Sequence, residues 1–243
     1  MARTLGVVGV VALWWGATAL FQPPSYVFPS PVAVAGAFVD QWASLLHHTA
    51  VTATEIVLGL LVGTAAGVTT ALAIAATPLM RRFVLPVVVV TQTLPVFAIA
   101  PLLVVWLGYG MTSKIVMAAL IIYFPIATAY AEAMSRADKQ LVDLAKLHGA
   151  GPFHILFVIR APSGLPGLVA GLKVAATVAP IGAVVGEWVG ASAGLGYLML
   201  HANARLQTDT LFAALALLAA LALIIRALVE ALATRIAPWQ PQV

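Results

Sequence analysis

Cysteine is absent from the 243 residues. That excludes a disulfide framework and any cysteine-based metal or redox chemistry. Charge is scarce as well: 12 basic and 8 acidic side chains make up 8% of the chain, against 63% hydrophobic residues. A mean hydropathy of +1.06 lies far outside the soluble range and marks an integral membrane protein. The net charge of +4 is therefore no nucleic-acid signal, because Lys and Arg in such a protein mark cytoplasmic loops. The phosphate-loop pattern G-x-x-x-x-G-K-[ST] is missing too, so the chain offers no ATP site of its own.

What is present is mostly span. A helix needs about 20 apolar residues to cross a bilayer, and the pattern predicts an all-α membrane protein with about six crossings in one domain, 1–243. The expected spans are Leu5–Phe21, Val51–Ala76, Val84–Leu107, Lys114–Met134, Gly164–Val185 and Leu211–Ala233. Arg3 and the run to Phe21, with Ala17-Thr18-Ala19, have the outline of a signal peptide. The single basic residue and the many later spans favour an uncleaved first helix. Between spans 1 and 2, residues 28–48 read as an outer amphipathic helix, with Ser30 as N-cap and Pro31 at its first position. Pro95, Pro101 and Pro125 are expected to interrupt their spans, as proline does where a neighbour or a cavity can satisfy the freed carbonyls.

Polarity is concentrated in one internal loop, 135–162. Arg136, Asp138, Lys139, Asp143, Lys146 and Arg160 lie in it and Glu132 just before it. Ala137–His148 has helix-forming composition, with Leu141, Leu144 and Ala145 on one face; Gly149 is a helix stop and Gly151-Pro152 opens a second short helix that Pro162 ends. Two short helices joined at a glycine would make a compact knob. Counting basic residues places it inside. Arg3, Arg81, Arg82, Arg136, Lys139, Lys146, Arg160 and Arg235 fall on one side, and only Lys114 and Arg205 on the other. Both termini are then cytoplasmic.

Gly59, Gly63 and Gly67, and likewise Gly182, Gly186, Gly190 and Gly194, recur every four residues, which suits close helix packing in lipid. Glu55 precedes Gly59 by four and should share its packed face. Glu187, at a span end, reads equally as a pathway or gate group and as an interface group. Trp188, Gln92, Trp106 and Tyr123 are further pathway candidates by polarity or aromaticity near broken spans. Gly190-Ala191-Ser192-Ala193-Gly194 fits the hydrolase pattern G-x-S-x-G but lacks the strand-to-helix setting that gives the motif meaning. His47-His48 are poor metal partners, since adjacent helical residues point apart, and no metal site is expected.

Asp143-Leu144-Ala145, three residues, Gly149, nine residues, then Ile159-Arg160-Ala161-Pro162 resembles the EAA loop of binding-protein-dependent ABC importer permeases. The family pattern is Glu-Ala-Ala, three residues, Gly, nine residues, Ile-x-Leu-Pro. The spacing matches, while Asp, Leu and Ala replace three of the residues. Phe28-Pro29-Ser30-Pro31, Thr91-Gln92-Thr93-Leu94-Pro95 and Gly182-Ala183-Val184-Val185-Gly186-Glu187-Trp188 are similar to permeases of the nitrate, sulfonate, taurine and pyrimidine-precursor type. Gly194-Leu195-Gly196-Tyr197 through Asn203, with Gln207-Thr208-Asp209, resembles permeases for hydroxymethylpyrimidine, a thiamine precursor. The resemblance implies a type I importer permease in the bacterial inner membrane that is not itself an enzyme. It implies a permease homodimer, a cytoplasmic ATPase dimer that binds ATP and Mg, and an extracytoplasmic solute-binding protein. Asp143, Leu144, Ala145, Gly149, Ile159 and Pro162 would then couple to the ATPase. Two other classes compete. A secondary transporter calls for internal repeats and paired acids at mid-membrane. Neither shows in the sequence, where Glu55 and Glu187 lie near span ends. A non-transporting scaffold subunit would have little use for broken helices.

Overall fold

The computed structural model describes residues 2–238; the side chains of residues 2–8, 92 and 93 lie outside the described set, as does Trp239. Among the described residues every regular element is helical. In chain order these are α1 (Ala2–Phe21), α2 (Pro31–Asp40), α3 (Trp42–Ala76), α4 (Pro78–Thr93), α5 (Val96–Leu107), α6 (Met111–Ser135), α7 (Lys139–Leu147), α8 (Pro152–His154), a π-helical turn Ile155–Arg160, α9 (Ala161–Trp188), α10 (Leu195–Ala204) and α11 (Thr208–Ile236).

Four rods have the length and apolarity to cross a membrane: α3, α6, the continuous stretch Pro152–Trp188, and α11. The pair α4 and α5, bent by 96°, has the same length and apolarity when the two are taken as one span. The expected first span falls on α1, whose described apolar part is Gly9–Phe21. Sequence and structure differ at several boundaries. Helix α3 starts at Trp42, not Val51, so the 28–48 segment is not one surface helix but α2 followed, after Gln41, by the opening turns of α3. Ser30 does cap α2, its Oγ accepting from Ala33 N–H at 3.2 Å. Pro95 breaks its span, whereas Pro101 and Pro125 lie inside α5 and α6 without interrupting them.

Pro162 does not stop the second loop helix. The chain continues through it into α9, in register with a π turn where Ala161 N–H bonds Leu156 O. Wider i→i+5 bonding opens the backbone where the proline ring would otherwise crowd the preceding turn.

Helix α6 lies between α3 and α9 and forms the core with them. Ile122, Ile126 and Met134 on α6 are fully buried, as are Ile56 and Ala71 on α3 and Ala175, Ala176 and Ala179 on α9. The approach is close because glycine permits it. A Cβ on Gly63 would stand 2.8 Å from Ala119 O, and one on Gly67 2.8 Å from Ile126 Cγ2. From the other side, a Cβ on Gly182 would meet Ala118 Cα at 2.8 Å. Without a hydrophobic force between helices in lipid, such contact area is the main attraction available. Gly190 and Gly194 do not extend this face. They follow the end of α9 and turn the chain with φ of +79° and +118°.

A second apolar cluster joins α2, α3, α10 and α11 through Val34, Leu45, Leu195 and Ala213. Trp14 of α1 packs on Phe212 at 5.8 Å and donates Nε1–H to Pro29 O at 3.0 Å. Gln41 Nε2 donates to Thr210 Oγ1 at 2.8 Å, tying the break between α2 and α3 to α11.

Candidate functional site

Two polar constructions stand at opposite ends of the core. At one end is the 135–162 loop. Asp138 caps α7 by accepting from Gln140 N–H at 2.8 Å, and Gly149 ends it at a φ of +79°, where a Cβ is strained. Val142 is the one buried residue of α7. Outward stand Leu141, Leu144 and Leu147, respectively 52%, 53% and 85% exposed, which share one face by their spacing of three. Phe153 and Phe157, beyond the turn, are also exposed. The knob is seated by Arg160, whose Nη1 donates to Ala75 O at the end of α3 at 2.9 Å. Tyr130 Oη donates to Ala161 O at 3.3 Å.

The residues of the loop pattern divide accordingly. Asp143 and Leu144 are exposed, and Ala145 is half-buried; Asp143 accepts from Lys146 Nζ at 3.2 Å, a pair with both partners in solvent. Such pairs contribute about 0–1 kcal/mol, so Asp143 is not needed for the fold. Gly149 and Pro162 are exposed and Ile159 half-buried.

At the far end, the N-terminus of α10 meets α3 and α9. Four successive backbone N–H groups open α10, and each finds an acceptor on α3 or α9. Gly194 N–H donates to His48 Nδ1 at 3.0 Å, and Leu195 N–H to Thr52 Oγ1 at 2.7 Å. Gly196 N–H and Tyr197 N–H both donate to Glu187 Oε2, the latter at 3.2 Å. Thr52 Oγ1 donates in turn to Glu187 Oε1 at 2.6 Å. A helix start leaves its first four donors unpaired and carries partial positive charge; here a carboxylate, a hydroxyl and an imidazole fill that end completely. Glu187 is 1% exposed and Glu55, one turn beyond Thr52 on α3, 2%. Lys114 is equally buried and donates Nζ–H to Tyr109 O at 2.6 Å and to Gly190 O at 3.1 Å.

Some of this was anticipated and some was not. Glu55 does lie on the packed face of α3, beside Gly59. The two acids, read as separate span-end groups, are brought together. Lys114, counted among outer loop residues, is inside the protein. Trp188 and Trp106 are 50% and 69% exposed and do not join the buried group. Tyr123 is elsewhere, donating Oη–H to Thr70 Oγ1 at 3.2 Å and lining a cleft of about 280 Å³ with Val62, Ala66, Val116 and Leu120. The side chain of Gln92 lies outside the described residues. Thr52, His48 and the α10 donors escaped sequence reasoning. Their only local signal is the pair of threonine and glutamate one turn apart on α3.

A polytopic helical protein with an exposed apolar knob on one inter-helix loop has the build of a membrane permease. Residues 59–238 match the family described as binding-protein-dependent transport system inner membrane component, and the chain belongs to that family. It is 48% identical over 224 residues to a probable ABC transporter permease protein of Haemophilus influenzae, covering 92% of this chain and 91% of the relative. It is 30% identical to the formylaminopyrimidine transport permease protein ThiX of Halalkalibacterium halodurans, over 98% and 95% of the two chains. It is 32% identical to the riboflavin transport system permease protein RibX of Chloroflexus aurantiacus, over 95% and 87%. The chain is thus the permease subunit of an ABC importer, a multi-pass inner-membrane protein and not an enzyme.

Proposed function

We propose that this permease carries a small polar organic solute inward by alternating access, as a homodimer clamped by two cytoplasmic ATPase subunits. ATP and Mg are held by those subunits, and an extracytoplasmic binding protein delivers the solute. The observation that carries the reading is the outward face of α7. Leu141, Leu144 and Leu147 stand in solvent on a capped and seated helix, which is the form of a docking element. The matched spacing of Asp143, Gly149, Ile159 and Pro162 supports the same role. Because α8, the π turn and α9 run on as one stretch from Pro152 to Trp188, a push on the knob reaches the far end along one rod of 37 residues, about 55 Å at 1.5 Å per residue. The basic-residue count supports a cytoplasmic side for the knob and both termini. The solute path is assigned to the face bearing Tyr123 and its cleft, between two permeases, with Trp106 and Gln92 on the neighbouring broken span and Glu55, Glu187 and Trp188 at its outer end.

A pyrimidine precursor of thiamine is the first choice of solute, supported by the 30% identical formylaminopyrimidine permease and by the segment Gly194–Asp209. A riboflavin-like solute is the second, supported by a relative of similar identity. Ligand binding by the cognate binding protein separates the two. Docking is tested by co-purification of the ATPase with Leu144→Asp or Leu147→Asp permease. Loss of the ATPase from a folded variant is expected, and normal recovery with both would refute the assignment.

A further inference from the structure

The knob and the helix bundle do not meet flush. Between them, where α3 and α6 end, is a cleft of about 390 Å³. Part of its lining is apolar and buried: Ile74, Met134, Val142 and Ile155. The rest is cationic. Arg81 of α4 and Lys146 of α7 are exposed, Arg160 of the π turn is half-buried, and no Asp or Glu lines the cleft with them.

The three cations come from separate elements and are not neutralised in place. Among the described residues, Arg81 and Arg160 have no carboxylate within ion-pair distance. Lys146 pairs with Asp143 at 3.2 Å, an exposed contact that solvent weakens. The Glu132–Arg136 pair lines a different cleft, with Pro166 and Ala170. Arg160 spends one N–H on Ala75 O at 2.9 Å, and a guanidinium has five. Helix ends do not set the sign, because α3 and α6 finish here while α4 and the Pro152–Trp188 rod begin. The side chains do. An anion among them removes the repulsion of three like charges around one opening.

The lining also says which anion. Guanidinium forks and an ammonium suit phosphate oxygens. A free phosphate ion would gain nothing from the buried apolar wall. A phospholipid would set its phosphate among the cations and its glycerol and first methylenes against Met134, Val142 and Ile155. Depth fits too: Ala76 and Ser135 end rods that are long and apolar enough to cross a membrane, so the cleft lies at headgroup level. Basic pockets between membrane helices at that level hold anionic headgroups.

We propose that this cleft is a binding site for the phosphate headgroup of an anionic phospholipid, held by Arg81, Lys146 and Arg160 together. Lys146 belongs to the knob and the two arginines to the elements beneath it, so the bound lipid ties the underside of α7 to the bundle. The assignment does not depend on which solute is carried.

Native mass spectrometry of the delipidated full-length permease tests it, with phosphatidylglycerol and phosphatidylcholine offered in equal amounts. The wild type should retain phosphatidylglycerol in preference. Arg81→Gln should weaken that binding about fivefold, and Arg81→Gln with Lys146→Gln about 25-fold. Both side chains are exposed, so neither change threatens the fold. Arg82→Gln makes the same change of charge one residue along α4, outside the cleft, and should bind as the wild type does. Equal retention of the two lipids, or a loss in Arg82→Gln as large as in Arg81→Gln, would mean diffuse surface charge and overturn the proposal. Inorganic phosphate at the concentration of the lipid should not displace it; displacement would mark a free-anion site and overturn the lipid assignment.

Discussion

Gly63→Ala adds one methyl group in the close α3–α6 contact, where backbone as well as side chain stands in the way. The new Cβ would stand 2.8 Å from Ala119 O and 2.8 Å from Ile122 Cγ2, inside contact distance of both. Neither can yield cheaply. The first is backbone, and the second is a β-branched, fully buried side chain with one preferred rotamer. Helix α6 cannot retreat either, because α9 presses on its other face, where a Gly182 Cβ would already stand 2.8 Å from Ala118 Cα. Overpacking of this kind costs about 1–3 kcal/mol, and replacing glycine inside a helix returns up to about 1 kcal/mol. The net loss is roughly 1–2 kcal/mol, or about 2–4 °C in unfolding temperature for each kcal/mol in a chain of this size. Gly36→Ala in α2 is the control, since a Cβ there meets nothing within 4 Å. It should leave the unfolding temperature unchanged or raise it. Thermal unfolding in one detergent at one scan rate compares the two. If Gly63→Ala unfolds at or above the wild-type temperature, close packing through α3 glycines does not hold the core.

Glu187→Ala strips the acceptor from the Thr52 hydroxyl and two α10 N–H groups; at about 1–3 kcal/mol for each buried donor left unpaired, it should destabilise more than Gly63→Ala in the same scan. Gly149→Val forces a β-branched residue to a φ of +79°, a strain of about 1–2 kcal/mol confined to the knob. ATP hydrolysis should then lose its stimulation by solute while the unfolding temperature moves little, and full stimulation would count against the docking role. Asp143→Lys should do the same without touching the fold, because Asp143 is exposed and pairs with the equally exposed Lys146. In this cysteine-free chain, Ala150→Cys should resist an impermeant thiol reagent applied to intact cells; labelling from outside would reverse the assigned topology.

The core was legible because lipid makes helix packing a matter of small residues at fixed spacing. Gly59, Gly63 and Gly67 announced the α6-facing side of α3 and carried Glu55 with them. The knob was legible for a local reason: Gly149 and Pro152 act on neighbours one to four residues away, although the cap at Asp138 was not foreseen. Pro162 misled, because its usual effect assumes an α-helical turn before it and a π turn stands there instead. Helix α10 was invisible. Its start, Gly194-Leu195-Gly196-Tyr197, has no capping side chain of its own, and its acceptors are His48 and Thr52, more than 140 residues away, and Glu187 across the turn that ends α9. The pairing of Glu55 with Glu187 was hidden in the same way. Each residue reads as a lone acid at a span end, and only the antiparallel packing of α3 beside α9 brings them together.

Uptake by reconstituted vesicles tests the central claim most directly. They would contain this permease, its partner ATPase and the solute-binding protein loaded with a labelled pyrimidine precursor or another cognate solute. The account predicts accumulation that requires both ATP on the ATPase side and the binding protein, and that persists when ion gradients are collapsed. Accumulation driven by an imposed ion gradient without ATP would contradict it.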